Sequence, residues 1–473
     1  MDLHKLTIKK ARQMLDKKEV SPKELYQAHL DRIHERNPKI NAYLSVFEDT
    51  PSTDILLPTT LNGIPGIIKD NILIEGRRST GGSKILENYT ATYDATAVAR
   101  LKQQGAVFLG KGNCDEFGMG TTGENSAYGL TLNPHDLTRV AGGSSSGPAA
   151  AVTDGMALFG LGTDTGGSCR MPASWCGIVG LKPTYGRVSR HGLMPMAASL
   201  NTIGTITKNV EDAAIMLSAI AGHDPMDAAT SPLPVPDYTK VLGKSIRGMR
   251  VGVPKEFFAS GLEEQTATSV KKAITQLESL GANIDEVSLP LTDYAIATYY
   301  IIVPSEVSAD MARYDGIRYG LSVESKTLLD TYLESRDQGF GAEVKRRIMI
   351  GTYALSAGYY DAYYKKAQQV RSLVCRDFAT LFAEYDVIVG PTGPQMAPKI
   401  GEFDNPLAFY LADVFTVQAN LAGLPAISIP CGFGEVDGSK LPIGFQIIGK
   451  QFDEEKIFQV AYAYEQSRGS TLT

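Results

Sequence analysis

The chain alternates helix-like and strand-like segments in both of its halves. Residues 94–113 read as an amphipathic helix followed by an apolar strand. Similar segments recur later in the chain: strands over 247–254, 283–290, 385–392, 426–430 and 444–450, and helices over 263–282 and 453–468. This alternation predicts an α/β fold in which helices cover both faces of a mixed central sheet.

Two further patterns define the expected domain organisation. The N-terminal region, residues 1–50, contains two amphipathic helices over 5–17 and 22–36, the second opened by a serine and a proline. Residues 293–375 are mostly helical and rich in tyrosine, which predicts an inserted helical layer. The best linker candidate is 232–238, but the patterns on its two sides are alike, so we expect a single domain over residues 1–473.

The charge balance limits the classes of partner that the chain can bind by itself. The 473 residues include 46 Lys and Arg against 52 Asp and Glu, a net charge of −6. This balance argues against the chain being the main holder of a nucleic-acid backbone. No GxxxxGK[ST] segment is present, so we do not expect ATP to bind here in the manner of a P-loop.

Cysteine and histidine usage predicts no metal site. The five cysteines are dispersed without a CxxC pair, and the six histidines form no HxxxH or HExxH pattern. An odd, scattered set of cysteines is typical of a reducing compartment. The polar first segment and the lack of an apolar run of about 20 residues lead us to expect a cytoplasmic protein without a membrane span.

Two serine-glycine clusters flank an apolar segment between residues 141 and 170. Such clusters are common in flexible linkers, but the apolar spacer AAAVTDGMALFGLG can be buried, which favours a functional site. In the first cluster Gly143 to Gly147 matches the GxSxG nucleophile elbow of the α/β-hydrolases. That elbow needs a strand before the serine and a histidine later in the chain. The preceding segment, 133–143, is a poor strand, and the only histidines after the match are His191 and His223. We therefore interpret the elbow match as a false positive.

The second cluster, residues 162–168, follows a strand-like segment and precedes a helix start near Pro172. A turn at Ser168 can direct this hydroxyl and the N–H groups of Thr165, Gly166, Gly167 and Ser168 into one cavity. Such amides can form an oxyanion hole, with about 3 kcal/mol from each donor. The alternative is an ordinary β-turn with a solvated serine.

A serine nucleophile without a suitable histidine needs another base, and lysine is the usual substitute. Lys69 is the outstanding candidate because it lies in the apolar segment GIIKDN. Burial lowers the pKa of a lysine and makes its neutral amine available near pH 7. Two alternatives stay open: a surface lysine at a strand end, or an ion pair with Asp70.

Taken together, these segments resemble the amidase signature family. The resemblance rests on GIPGIIKDN around Lys69, GGSSSG around Ser144 and GTDTGGSCRMPASWCGIVGLKPTYGRVSR around Ser168. It implies the amidase signature fold, with a core of about 53–225 and 376–470. It also implies that Ser168 is the acyl-enzyme nucleophile, that Ser144 lies next to a cis peptide bond and relays a proton, and that Lys69 is the general base. Ser145 and Ser146 are then structural.

The similarity extends over nearly the whole chain to one branch of this family, the glutamine-hydrolysing subunits of tRNA-dependent amidotransferases. Segments such as DEFGMGTTGENSAYG, VKRRIM and NLAGLPAISIPCGF carry it. It implies that glutamine is split to glutamate and ammonia. The ammonia then passes to a B subunit, which uses ATP and Mg²⁺ to activate misacylated Glu-tRNA(Gln) or Asp-tRNA(Asn), while a C subunit braces this chain against B. No cofactor is implied for this chain, and tRNA is expected to bind mainly through the partner.

The same resemblance assigns the α-carboxylate of the substrate to Arg347, its α-ammonium to Asp413, and a nearby position to Tyr299. A basic helix surface and a helix cap are the alternatives for Arg347 and Asp413. The chain departs from the usual family pattern at several positions: Ser146, Pro148, Cys169, Trp175, Asn201, Thr205 and Gln418. Two other functions are considered: a free-standing amidase acting on another amide, and a catalytically inert scaffold, which the retention of Lys69, Ser144 and Ser168 argues against.

Overall fold

The fold is built on one large mixed β-sheet with strands from both halves of the chain. The computed structural model describes residues 2–49, 58–259, 261–403 and 405–468. Within these ranges eleven strands pair in the large sheet, and two short ones form a separate hairpin. The strands are β1 (Tyr43–Val46), β2 (Pro65–Lys69), β3 (Val107–Gly112), β4 (Leu132–Asn133), β5 (Asp136–Val140), β6 (Phe159–Asp164), β7 (Val179–Lys182), β8 (Thr202–Thr207), β9 (Arg250–Pro254), β10 (Asn283–Val287), β11 (Val387–Pro391), β12 (Ala426–Val436) and β13 (Ser439–Gly449).

The strand order in the large sheet is β1-β3-β2-β6-β8-β7-β12-β13-β11-β9-β10. Strand β2 lies parallel to both β3 and β6, whereas β6 pairs with β8, and β12 with β13, in the antiparallel sense. The predicted mixed α/β fold is therefore confirmed.

The described residues also form fourteen α-helices, several of them joined by short 3₁₀ turns. The helices are α1 (Ile8–Asp16), α2 (Pro22–Ile40), α3 (Thr96–Gln103), α4 (Ser146–Thr153), α5 (Arg170–Cys176), α6 (Val210–Ile220), α7 (Glu264–Ser279), α8 (Thr292–Asp310), α9 (Leu328–Gly339), α10 (Ala342–Leu355), α11 (Lys366–Leu381), α12 (Pro406–Leu411), α13 (Val417–Leu421) and α14 (Glu454–Ser467). Helix α2 begins as predicted, with Ser21 and Glu24 forming a capping box, and it continues four residues beyond the predicted end.

Successive residues of the central strands pack into different hydrophobic clusters, because side chains alternate between the two faces of a sheet. Ile67 of β2 belongs to the cluster that includes Ala149 of α4. The next residue, Ile68, belongs to the cluster that includes Leu217 of α6. Both faces of the sheet are thus covered by helices.

Two details of the fold prepare the site. Strands β2 and β6 are parallel neighbours, so their last residues, Lys69 and Asp164, lie at the same edge of the sheet. The segment before the first serine cluster does form a strand, β5, so the expectation of a poor strand there is wrong. This strand pairs with β4 in the separate hairpin and not with the large sheet, from which a nucleophile elbow would start.

Candidate active site

Lys69 lies fully buried at the end of β2 among three hydroxyl groups. Its Nζ is 2.7 Å from Ser144 Oγ, 3.1 Å from Ser145 Oγ and 2.8 Å from Thr163 Oγ1. Burial lowers the pKa of Lys69 below its ordinary value, although nearby acidic groups act in the opposite direction. The structure therefore places a lysine with a lowered pKa next to two serines.

The alternative of a Lys69–Asp70 ion pair is excluded by the contacts of Asp70. The Asp70 carboxylate accepts hydrogen bonds from the main-chain N–H and the hydroxyl of Thr80. It also lies 3.7 Å from the amine of Lys111, another buried lysine. Lys111 in turn donates to the carbonyl of Ile72 and the hydroxyl of Ser79, which identifies it as a structural residue.

Ser144 lies in the loop that precedes α4, and the peptide bond between Gly143 and Ser144 is cis. The Gly143 N–H donates to the Thr121 carbonyl at 2.6 Å, and the Ser144 carbonyl accepts from the Asp115 N–H at 3.3 Å. A Cβ at position 143 would lie 2.0 Å from Asp115 Oδ2, so only glycine fits there. These contacts fix the main chain on both sides of the Ser144 hydroxyl.

The loop that carries Ser168 is held by a buried ion pair between Asp164 and Arg170, with 2.9 Å between Oδ1 and Nη2. The Asp164 carboxylate also accepts from the N–H groups of Gly167 and Cys169, on either side of Ser168. Burial opposes ionisation of Asp164, but the charge and hydrogen bonds of Arg170 outweigh it and hold the pKa of Asp164 well below its ordinary value. The Asp164 carboxylate therefore holds the main chain on both sides of Ser168.

The two serine clusters meet in space. The Ser145 N–H donates to the Ser168 carbonyl at 3.2 Å, and both α4 and β6, which make up the spacer, are buried. Ser168 retains 9% of its exposure, against 1% for Ser144 and none for Ser145. Within the described residues the Ser168 hydroxyl makes no hydrogen bond, and Ser168 is the most exposed of the three serines.

The predicted oxyanion donors lie in the same turn, with one of them already engaged. The Gly167 N–H donates to Asp164, which leaves the N–H groups of Thr165, Gly166 and Ser168 without a protein acceptor in the described ranges. Gly167 has a φ of +140°, and a Cβ there would lie 2.4 Å from the Thr416 hydroxyl oxygen. This close approach explains why glycine occupies the position.

Arg347 is buried on α10 and keeps part of its guanidinium unpaired. Its Nε donates to Glu343 Oε1 at 2.8 Å, and its charge lies 5.4 Å and 5.7 Å from the ring centres of Tyr300 and Tyr410. Its Nη1 and Nη2 groups have no acceptor among the described residues. Such an open fork matches the geometry of a carboxylate. Although burial opposes the charge, the neighbouring Tyr300 and Glu343 raise the pKa of Arg347 above its ordinary value.

Asp413 is connected to the first serine cluster through Thr121. The Thr121 hydroxyl donates to Asp413 Oδ2 at 2.9 Å, while its carbonyl holds the Gly143 N–H. Tyr300 donates to the same Oδ2 atom at 3.2 Å. Burial raises the pKa of Asp413 to about 7. A cation brought next to this carboxylate would restore its charge.

Tyr299 lies against the second serine cluster. It is buried on α8, and a Cβ at Gly166 would lie 2.5 Å from its phenolic oxygen. The structure thus brings Tyr299 together with the candidate oxyanion donors. Arg347 and Asp413 are joined to the same region through Tyr300, the next residue along α8.

Sequence reasoning missed several residues of the site. Thr163 and Ser145 share the Lys69 amine, although the sequence pattern indicates only a structural role for Ser145. The sequence does indicate a separate role for Thr163. Side chains alternate along a strand, so Thr163 points to the opposite side of β6 from Asp164. Tyr300 and Tyr410 give no comparable signal, because their contacts with Arg347 depend on packing between helices.

A cavity of about 290 Å³ opens beside Glu343. Its lining combines acidic, basic and aromatic side chains with two amides: Thr122, Glu124, Asn125, Glu343, Arg346, Phe403, Asn405 and Phe409.

Comparison with known proteins agrees with this geometry. The family model described as Amidase matches residues 24–458. The chain belongs to the amidase family. A relative from Caldanaerobacter subterraneus subsp. tengcongensis, the A subunit of its glutamyl-tRNA(Gln) amidotransferase, is 54% identical over 99% of this chain and 97% of its own length. The resemblance to the amidase signature family is therefore confirmed.

Solved amidase structures share the whole fold. The crystal structure of the A subunit of the glutamyl-tRNA(Gln) amidotransferase from Thermotoga maritima has a TM-score of 0.85 and 44% identity, covering 98% of this chain and 95% of that one. A 6-aminohexanoate cyclic dimer hydrolase has a TM-score of 0.86 at 27% identity, covering 99% of this chain and 97% of that one. The amidase fold is thus shared by relatives that differ in their named substrates.

Two other kinds of feature are absent from the parts of this amidase that the structure describes. No three His, Cys, Asp or Glu side chains in these ranges are grouped so that they could hold a metal ion. Across the same residues, each helix is too short or too polar to cross a lipid bilayer.

Proposed function

We propose that the chain is the glutaminase subunit of a tRNA-dependent amidotransferase, and that it releases ammonia from glutamine by a Ser-Ser-Lys mechanism. The observation that carries the proposal is the buried Lys69 amine, 2.7 Å from the hydroxyl of Ser144, in the serine cluster that is hydrogen-bonded to the turn of Ser168. The identity to the A subunits of glutamyl-tRNA(Gln) amidotransferases, over nearly the full length of the chain, supports glutamine as the substrate.

Acylation begins with the neutral amine of Lys69. A neutral amine has two N–H donors and one lone pair, so one of its three hydroxyl neighbours can donate a proton to it. Ser144 gives its proton to Lys69 and takes the proton of Ser168, whose oxygen attacks the carboxamide carbon of glutamine. The N–H groups of Thr165, Gly166 and Ser168 stabilise the resulting oxyanion.

The proton then returns along the same path. The Lys69 ammonium gives a proton back to Ser144, and Ser144 protonates the departing nitrogen, so the C–N bond breaks and ammonia leaves. Water attacks the glutamyl ester on Ser168 with the same base, which releases glutamate and restores the Ser168 hydroxyl. Each proton removed in the attack is returned in the cleavage, so the three residues end each cycle unchanged.

Three side chains outside the serine clusters select an amino acid with free α groups. The open Nη fork of Arg347 binds the α-carboxylate in two parallel hydrogen bonds. Asp413 binds the α-ammonium, whose charge favours the ionised form of this buried carboxyl. Tyr299 borders the substrate beside Gly166.

The remaining steps belong to partner chains. In this proposal the chain acts in a cytoplasmic heterotrimer, where a B subunit takes up the ammonia and a C subunit joins this chain to B. ATP and Mg²⁺ serve the B subunit, which amidates misacylated Glu-tRNA(Gln) or Asp-tRNA(Asn). The net charge of −6 supports tRNA contact mainly through that partner.

Purification of the chain from its own cells tests the proposal. We expect two further subunits to accompany it, and ammonia release from glutamine to rise when ATP and misacylated tRNA are added. Ammonia release from other amides with neither effect would instead support a free-standing amidase. A chain that accompanies its partners but releases no ammonia would be an inert scaffold.

A further inference from the structure

We propose that Glu343 is a positioning residue that orients Arg347 for the α-carboxylate of the substrate. The inference rests on the proposed function, because it explains how the recognition side chain of that site is held. Glu343 is buried on α10, one helical turn before Arg347. Its Oε1 atom accepts from Arg347 Nε at 2.8 Å and from the Tyr410 hydroxyl at 3.1 Å.

The contact uses one edge of the guanidinium and leaves the other open. Arg347 has five N–H donors in a rigid plane, and Glu343 engages the Nε edge. The rings of Tyr300 and Tyr410 stack with centres 3.8 Å apart, and both lie within 6 Å of the Arg347 charge. A bond to Nε together with aromatic neighbours determines the plane of the guanidinium, so the Nη fork is oriented before a substrate arrives.

Glu343 also links the two recognition side chains. Tyr410 donates to Glu343, whereas Tyr300, stacked on Tyr410, donates to Asp413. The carboxylate-binding and ammonium-binding groups are therefore joined through two stacked rings. Glu343 contacts Arg347 directly but reaches Asp413 only through the two rings, so we expect a change at Glu343 to affect the binding of the α-carboxylate and to leave that of the α-ammonium unchanged.

The second oxygen of Glu343 faces a different neighbour. Oε2 pairs with Arg346, and both side chains line the 290 Å³ cavity. Arg346 is half-exposed, while Arg347 is buried and does not line that cavity. Glu343 thus lies between the cavity and Arg347. A purely structural role, as an acidic residue in the first turn of α10, is the competing explanation.

The test is Glu343→Gln in the complete protein with its partner subunits, measured with two amides. Glutamine carries the α-carboxylate, and 4-aminobutanamide is the same molecule without it. We expect the KM for glutamine to rise about tenfold, as the loss of a charged hydrogen bond would produce, while kcat stays within twofold. The kcat/KM for 4-aminobutanamide is expected to stay unchanged.

Glu124→Gln is the matched control. Glu124 lines the same cavity, but its carboxylate accepts from the Gly401 N–H and forms no hydrogen bond or ion pair with Arg347. The control should leave both amides unaffected. A Glu343→Gln enzyme with a reduced kcat at unchanged KM, or with equal losses for both amides, would overturn the positioning role. Glutaminase activity that survived Ser168→Ala would contradict the proposed function itself. An unchanged KM for glutamine in Glu343→Gln would contradict only the positioning role of Glu343.

Discussion

The main-chain N–H of Ser145 donates a hydrogen bond to the carbonyl of Ser168 at 3.2 Å. This bond joins the two serine clusters, which the chain separates by a buried helix and a buried strand. Ser145 also shares the Lys69 amine with Ser144. The base, the relay and the nucleophile of the proposed mechanism are thus connected through one residue that takes no step in the reaction.

The proton relay predicts that Lys69 and Ser144 act as a unit. Lys69→Met and Ser144→Ala should each lower kcat/KM for glutamine by at least about a hundredfold, because each removes the path for the Ser168 proton. The double variant should be no slower than the slower single variant. Steady-state ammonia release measures all three.

Ser146→Ala is the matched control for these variants. Ser146 lies in the same cluster, but its buried hydroxyl has no hydrogen-bond partner among the described residues. We expect its activity to stay within twofold of the parent. Losses in the Lys69 and Ser144 variants that multiply in the double variant would contradict a shared relay.

The buried carboxyl of Asp413 predicts a pH dependence of substrate binding. Its pKa is raised to about 7, and only the ionised form attracts the α-ammonium of glutamine. The value of kcat/KM should therefore rise as the pH increases through about 7 and fall below it, since kcat/KM reports on the free enzyme.

Asp413→Asn should remove this dependence and raise the KM for glutamine. Measurements of kcat/KM between pH 5.5 and 8.5 on both proteins, a window about 1.5 units on either side of that pKa, provide the check. A profile of Asp413→Asn that keeps the same midpoint would assign the titration to another group.

The ion pair of Asp164 and Arg170 predicts a large effect on stability. Asp164→Asn leaves the buried Arg170 charge without its partner, which should lower the free energy of unfolding by about 3–5 kcal/mol. The pKa of Asp164 is held below its ordinary value of 3.8, so its contribution is fully present above that pH and is lost as the pH falls further. Chemical denaturation at pH 7 gives the difference.

The exposed pair between Asp361 and Lys365 provides the comparison. Asp361→Asn should leave the free energy of unfolding nearly unchanged, because solvent screens the pair. Similar losses from Asp164→Asn and Asp361→Asn would mean that Asp164 does not hold the turn.

The sequence predicts the parts of the site that depend on local pattern. The apolar segment GIIKDNILI that contains Lys69 indicates its burial, and the strand before Ser168 indicates the turn. The sequence does not predict the hydrogen-bond partners of Lys69, because a strand pattern does not show which distant hydroxyl groups reach its amine. Asp70 is adjacent in sequence but pairs with Lys111 instead.

Long-range packing accounts for what the sequence does not predict. Glu343 and Tyr410 are 67 positions apart and meet because α10 packs against α8, while Tyr410 of α12 stacks on Tyr300 of α8. The hairpin strand β5 escapes prediction because its alternation is short and its partner β4 has two residues. Such contacts depend on how elements pack, which periodicity does not encode.

The most direct measurement of the central claim is to trap the acyl-enzyme. The protein is mixed with radiolabelled glutamine, quenched in acid within a turnover and digested, and the labelled peptide is identified by mass spectrometry. The account predicts a glutamyl ester on Ser168, and neither label nor ammonia release in Ser168→Ala. A label on Ser144, or near-parental ammonia release by Ser168→Ala, would contradict it.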